Sequence, residues 1–140
     1  MRISHFLTAA GMALALAITM SVTPQAQAKT DEDYDTLMKA VGAAMGAVRG
    51  AAKEQNVAGI SAEAAKMVPL FKEAQAFWTA RNNAEAAEWA GAAMKHAEAL
   101  ANGTDAPSIM GAMKELGGTC QTCHAKYREG APGAFTIKKG

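Results

Sequence analysis

Apolar residues recur at helical spacing through most of the chain beyond residue 30. In the first such segment they are separated by 3, 1, 3, 4 and 3 positions, which places them on one stripe of a helix. The stripe consists of Tyr34, Leu37, Met38, Val41, Met45 and Val48. Three acidic residues precede it at 31–33, where the helix dipole favours negative charge. The pattern predicts a first helix over residues 31–54.

Two further helices are predicted after the polar break that follows. Ser61 is expected to cap the N-terminus of the second helix. Its apolar face would be Met67, Leu70, Phe71, Ala74, Phe77 and Trp78. Pro69 lies within this segment and is expected either to bend the helix or to delay its start. Asn82 with Glu85 three residues later resembles a capping box and predicts the start of the third helix, which Gly103 would end.

The fourth predicted helix begins near Asp105, with Pro107 in its first turn. Its apolar seam has spacings of 4, 3, 4, 3 and 4 and includes both cysteines, which should therefore face the core. The seam is Ile109, Met113, Leu116, Cys120, Cys123 and Tyr127. The remaining residues, 130–140, show no period and predict a frayed tail. Four amphipathic helices joined by short turns predict an all-α antiparallel four-helix bundle.

The first 28 residues have the pattern of a secretory signal peptide. Arg2 is followed by an apolar run over residues 6–20 and by a small-x-small sequence that ends at Ala28. This predicts cleavage after Ala28 and a single domain over residues 29–140. The alternative is a retained N-terminal anchor, but the run is short for a membrane span of ~20 residues. We therefore expect an exported protein without stable membrane insertion after cleavage.

The amino-acid composition supports an all-helical fold and bears on one class of partner, nucleic acids. The chain is rich in alanine and has no run of β-branched residues, which favours helices over sheet. It has 14 basic and 13 acidic residues, and loss of Arg2 would leave 13 of each. This balance gives no indication of nucleic-acid binding.

Cys120 and Cys123 are the only cysteines, and His124 follows directly. A disulfide between them would close a tiny loop and would restrain the unfolded chain little. A thioredoxin-like redox pair normally opens a helix in an α/β fold, whereas this pair lies near the C-terminal end of a helix. A structural zinc site needs four ligands, and His96 is the only other histidine in residues 29–140.

Cys-x-x-Cys-His is the attachment signal of c-type haem. Two thiols three residues apart can add across the two vinyl groups of the porphyrin. The next residue is then placed to bind the iron from one side. The sequence therefore predicts one haem c per chain, attached through Cys120 and Cys123, with His124 as an axial ligand.

A four-helix bundle with this motif near its end resembles the class II cytochromes c, the cytochrome c′ family. Residues 123–128, CHAKYR, match the family pattern of Cys-His, two variable residues, an aromatic residue and a basic residue. The resemblance implies that Tyr127 packs beside the haem and that Arg128 lies on the proximal side.

The resemblance also places a residue of the first helix on the other side of the iron. When YDTLMKAVGAAMG is laid over the family's first helix, Met38 falls at this position. Both His124 and Met38 would then be metal ligands, as in low-spin methionine-ligated members. A shift of one residue would place Leu37 there and leave the iron five-coordinate. Packing of Met38 without ligation is a further alternative, because methionine is a common core filler.

Other candidates for the site are weaker. Met45 lies on the same stripe as Met38, one heptad later. His96 lies at the edge of the apolar stripe of the third helix, so a partly exposed histidine is expected there. Four large aromatic residues are expected to form bundle core rather than a dedicated cofactor site. They are Phe71, Phe77, Trp78 and Trp89.

These residues and the resemblance together predict a periplasmic electron carrier. No substrate pocket or acid–base pair is apparent in the sequence, so an enzyme is not expected. The alternative is a five-coordinate cytochrome c′ that binds nitric oxide or carbon monoxide, and a third class is a haem-free helical interaction protein. The resemblance implies periplasmic redox proteins as partners, and family members are often homodimers through their first two helices.

Overall fold

The structure, a computed structural model, describes residues 30–138. It contains four helices followed by two short strands: α1 (Asp31–Lys53), α2 (Val57–Ala80), α3 (Ala84–Ala101), α4 (Ala106–Tyr127), β1 (Arg128–Ala131) and β2 (Ala134–Ile137). Successive helices pack against one another, α1 on α2, α2 on α3 and α3 on α4. The predicted four-helix bundle is therefore confirmed. The predicted signal peptide and its cleavage after Ala28 lie outside the described residues.

Helix α1 begins and ends through local hydrogen bonds. Thr30 caps its N-terminus by accepting a hydrogen bond from the Asp33 backbone, while the Asp33 side chain accepts one from the Thr30 backbone. At the other end Gln55 takes a left-handed conformation, with φ of 54°. Its N–H donates to the carbonyl of Ala52 at 3.1 Å. The predicted range of residues 31–54 is correct to one residue.

Helix α2 begins four residues before the predicted cap. Asn56 is the N-cap, and its side chain accepts a hydrogen bond from the Gly59 N–H at 2.9 Å. Ser61 is not a cap; its hydroxyl donates to the Ala101 carbonyl and ties α2 to the end of α3. Pro69 lies within the helix without ending it. The proline deprives the carbonyl four residues earlier of its usual partner, but both positions lie on the exposed side of α2.

The predicted capping box of α3 is wrong by one residue. Asn82 takes a left-handed conformation with φ of 56°, and its N–H donates to the Thr79 carbonyl, so it closes α2. Asn83 is the cap of α3, because its side chain accepts from the Ala86 N–H at 3.0 Å. The predicted stop of α3 is in place, since Gly103 follows its end, but the φ of this glycine is not positive. A Cβ there would lie 2.8 Å from a side-chain carbon of α4, so close packing explains the glycine.

Helix α4 begins where the sequence predicts. Asp105 accepts a hydrogen bond from the Ser108 N–H at 2.8 Å, and the Ser108 hydroxyl completes a reciprocal capping box. Pro107 lies at the start of the helix. The helix ends at Tyr127, where the N–H of the next residue donates to the His124 carbonyl.

The predicted frayed tail is wrong, because residues 128–137 form an antiparallel hairpin. Arg128 pairs with Ile137 and Ala131 pairs with Ala134. The sequence Pro-Gly makes the connecting turn, and the φ of 89° at Gly133 matches a type II turn. Strand β2 packs against α1, so the hairpin links the end of α4 to α1.

The main core lies between all four helices. Its fully buried large side chains are Val48, Met67, Leu100 and Leu116. A second cluster is largely aromatic and joins all four helices and β2. It contains Phe77 and Trp78, with Tyr34, Tyr127 and Ile137 packed against them. Within residues 30–138, no helix is both long and apolar enough to cross a membrane.

Candidate functional site

The last two turns of α4 carry Cys120, Cys123 and His124. Residues three and four positions apart share one face of a helix, so the three side chains point to the same side. All three are half-buried, and Cys120 packs against the main core. The prediction that the cysteine pair lies on the inner seam of the helix is confirmed.

A narrow cleft opens in front of this face, and we call it the α1–α4 cleft. Its lining comes from all four helices: Tyr34, Met38, Phe71, Ala74, Trp89, Ala90, Ala93, Thr119, Cys120, Cys123 and His124. Most of these side chains are apolar, and none is a lysine, arginine or carboxylate. The cleft thus combines two thiols, an imidazole and a thioether with hydrocarbon walls.

The chemistry of this lining fits a c-type haem, but the cleft is narrower than the group. The enclosed volume is about 30 Å³, whereas a porphyrin is many times larger. Haem would therefore need a wider cleft than this one. Helices α1 and α4 both contribute buried side chains to the main core, but they do not pack closely on each other.

Burial raises the pKa of both thiols. The pKa of Cys123 is raised to about 11 by its burial and then by the nearby Cys120 and Glu85, and the pKa of Cys120 is raised mainly by burial. A reactive redox cysteine requires the opposite, a lowered pKa at a helix N-terminus or beside cations. The geometry therefore disfavours the thioredoxin-like interpretation. Both cysteines are free thiols in the structure.

The His124 imidazole is held in its neutral form. Burial lowers the pKa of His124, and the positive charge of Arg128 lowers it further. Neutral imidazole is the form that binds a metal. Within residues 30–138, no group of three or more His, Cys, Asp and Glu side chains is arranged to hold a metal ion by itself.

Met38 reaches the cleft from α1. It is half-buried and lines the same cleft as Cys120 and His124. Its neighbour Leu37 is buried beside the cleft against two alanines that line it, but is not itself part of the lining. Met38 rather than Leu37 therefore lines the cleft, while its ligation of iron remains a prediction.

The other two candidate ligands do not line the cleft. Met45 packs against the main core from its edge. His96 is half-buried beside the stripe formed by Ala93, Ala97 and Leu100, as the sequence predicts.

Tyr127 ends α4 and borders the cleft only through a neighbour. Its ring lies 5.2 Å from that of Trp78 and 5.8 Å from that of Trp89, which lines the cleft. Its hydroxyl lies 2.7 Å from Oε2 of Glu85, the better placed of its two acceptors. The contact of Tyr127 with haem remains a prediction.

Arg128 lies on the other side of His124, in a second pocket between α4 and the hairpin. This hairpin pocket has a volume of about 370 Å³ and is lined by Gln121, His124, Ala125, Arg128, Glu129, Gly130 and Phe135. The Arg128 guanidinium lies over the Phe135 ring, 4.1 Å from its centroid. Its proximal placement relative to haem also remains a prediction.

Phe71 and Trp89 line the cleft, whereas the sequence predicts bundle core rather than a cofactor site for them. Tyr34 also lines it, and the sequence does not indicate a role there for this residue. The pattern of apolar positions identifies it only as the first member of a stripe. Its position four residues before Met38 is the sequence feature that could have identified it as a cleft residue, because the two side chains share a face of α1.

A comparison with protein families gives one match. The family model described as Cytochrome C′ matches residues 71–128, from the middle of α2 to the end of the motif. Over this part of its sequence, the chain is similar to the cytochrome c′ family. Comparisons with curated proteins and with solved structures give no significant match. The family implies a haem-binding cytochrome, in agreement with the chemistry of the α1–α4 cleft.

Proposed function

We propose that this chain is a periplasmic electron carrier with one c-type haem, bound between His124 and Met38. The observation that carries the proposal is the position of Met38. It reaches the α1–α4 cleft from α1, while Cys120, Cys123 and His124 reach the cleft from α4. Candidate ligands from two different helices thus line one cleft, which supports the proposal.

Each residue has a distinct part in holding the group. The sulfur atoms of Cys120 and Cys123 form thioether bonds with the porphyrin. His124 is neutral and offers a ring nitrogen to the iron, and Met38 offers its thioether sulfur. The bound haem would supply a one-electron ferric–ferrous couple, whose potential a methionine ligand raises relative to two nitrogen ligands. The apolar walls would exclude water from the iron. The chain itself would then need little rearrangement when the charge of the iron changes.

The rival function is capture of nitric oxide or carbon monoxide by five-coordinate iron. The family match is compatible with both functions, because it does not reach α1. The identity of the residue on the α1 wall decides between them. No catalytic role forms part of either proposal.

The deciding experiment compares Met38→Ala with the wild type and with Met45→Ala, a matched control on the same helix but outside the cleft. We expect the wild type to be low-spin and to bind carbon monoxide poorly when reduced, and Met45→Ala to behave likewise. Met38→Ala should be high-spin or water-ligated and should bind carbon monoxide readily, because its thioether no longer closes the site. A wild type that is already high-spin and takes up carbon monoxide freely would replace the carrier by the gas-binding function.

Export is a separate element of the proposal. We expect the protein purified from a native host to be periplasmic and its mass to begin at Lys29. An intact N-terminus on membrane-bound material would favour the retained anchor. Redox partners in the periplasm and a homodimer are part of this proposal as well, and size-exclusion chromatography with light scattering tests the latter.

A further inference from the structure

Tyr34 lines the α1–α4 cleft, and contacts with α2 fix its side chain. Its ring stacks on Phe77 with centroids 4.2 Å apart, and it meets Trp78 edge-on at 5.5 Å. Nε1 of Trp78 donates a hydrogen bond to the hydroxyl oxygen at 2.9 Å. These three contacts leave the phenol little freedom to turn.

The proton of this hydroxyl lacks an acceptor in the described part of the chain. Within residues 30–138, the Tyr34 hydroxyl takes part in one hydrogen bond. Trp78 is the donor of this bond, and the hydroxyl oxygen of Tyr34 is the acceptor. Burial raises the pKa of Tyr34 to about 12, so the phenol is protonated and is a donor at neutral pH. Tyr34 is only partly buried, so this donor is available to a group that enters the cleft.

The position of Tyr34 indicates where that acceptor belongs. Tyr34 lines the α1–α4 cleft together with Cys120, Cys123 and His124, the residues that hold haem in the proposed function. Met38 follows Tyr34 by one helical turn, about 6 Å along the axis of α1. The two side chains share a face of α1, so Tyr34 would lie close to any haem that Met38 helps to hold.

We propose that Tyr34 donates a hydrogen bond to a carboxylate of the bound haem and so fixes the orientation of the group in the cleft. This inference rests on the proposed haem site. A c-type haem uses its vinyl groups in the thioether bonds but keeps its two propionate carboxylates. Because no lysine or arginine lines the cleft, a carboxylate that enters it depends on neutral donors. Tyr34 is a neutral donor that already lines the cleft.

The test uses the purified holoprotein and resonance Raman spectroscopy. Tyr34→Phe should shift the propionate bending band, because it removes the donor and keeps the ring. Trp78→Phe should shift the band less, since the donor remains but loses the contact that aims it. Ser61→Ala is the matched control, because it also removes a hydroxyl, one that donates to the Ala101 carbonyl outside the cleft. It should leave the band in place. An unshifted band in Tyr34→Phe, or an equal shift in Ser61→Ala, overturns the proposal.

A second arm separates the carboxylate from an acceptor on the iron. In the Met38→Ala background the reduced protein is loaded with carbon monoxide, with and without Tyr34→Phe. The proposal expects the same C–O stretching frequency in both. A higher frequency on loss of the hydroxyl, with the propionate band unmoved, would assign Tyr34 to the axial ligand and overturn the carboxylate assignment. Failure of the carrier function would appear instead as a high-spin wild type, on which the propionate comparison can still be made.

Discussion

The C-terminal hairpin depends on one apolar contact, and the substitution Ile137→Ala tests it. Ile137 is partly buried and packs against the aromatic cluster that contains Phe77 and Trp78. It is the last residue of β2 and pairs with Arg128, directly after α4. The contact therefore joins the end of α4 to the start of α1, two helices that do not pack closely on each other.

The expected magnitude follows from the burial of the side chain. Truncation of a fully buried isoleucine to alanine costs about 2–5 kcal/mol. Ile137 retains some exposure and lies on a short hairpin that can relax, so we expect a loss of about 1–2 kcal/mol in the free energy of unfolding. In a domain of this size that corresponds to a fall in Tm of roughly 4–10 °C.

The assay is thermal and urea unfolding of the holoprotein, followed by circular dichroism. Thr136→Ala is the matched control, because Thr136 is the preceding residue of β2 and its side chain is exposed. We expect that control to lie within about 0.5 kcal/mol of the wild type. If Ile137→Ala is as stable as the wild type, or if Thr136→Ala is equally destabilised, the packing of the hairpin on the aromatic cluster is wrong.

Three other predictions concern the site and its surroundings. Replacing both cysteines by alanine should abolish haem retention after acid–organic extraction, since the chain has no other thiol; haem staining in the denatured double variant would contradict this. His124→Ala should lose the wild-type absorption spectrum, and an unchanged spectrum would exclude His124 as a ligand. The hydrogen bonds from Lys126 and Tyr127 lower the pKa of Glu85 from its ordinary value of 4.5. These bonds therefore stabilise the folded state above pH 4.5, and this stabilisation is lost as the pH falls through the pKa of Glu85 in the folded state. Glu85→Gln should therefore show a shallower loss of Tm on acidification, and an identical pH profile would disprove this coupling.

The hairpin carries local signals in its sequence that are too weak to predict it alone. Pro132 and Gly133 have the signature of a type II turn, and Gly130 has φ of 97°. A Cβ at Gly130 would overlap the Ala134 carbonyl oxygen, so the pairing requires glycine there. Each strand has only four residues, and such a hairpin is marginal in isolation. Its stability comes from α1 and the aromatic cluster, which are distant in sequence.

The N-terminal boundaries of α2 and α3 differ from the prediction because each segment offers two residues of capping type. Before α2 these are Asn56 and Ser61, and the weak helix formers valine and glycine lie between them, which favours the later start. Before α3 they are Asn82 and Asn83, which are equally good caps by residue type. The left-handed conformation of Asn82 decides between them, because a residue that closes one helix in that conformation cannot cap the next.

Spacing within a few residues is enough to specify the helices and the attachment motif. An apolar stripe defines α1, and Cys120, Cys123 and His124 share a face of any helix that contains them. Which residue of α1 faces that motif depends on the tertiary structure instead. Met38 and Leu37 are adjacent and point about 100° apart around the helix axis. Only the packing of α1 on its neighbours fixes that rotation, because it buries Leu37 against alanines of α2 and α3 and leaves Met38 in the lining of the cleft.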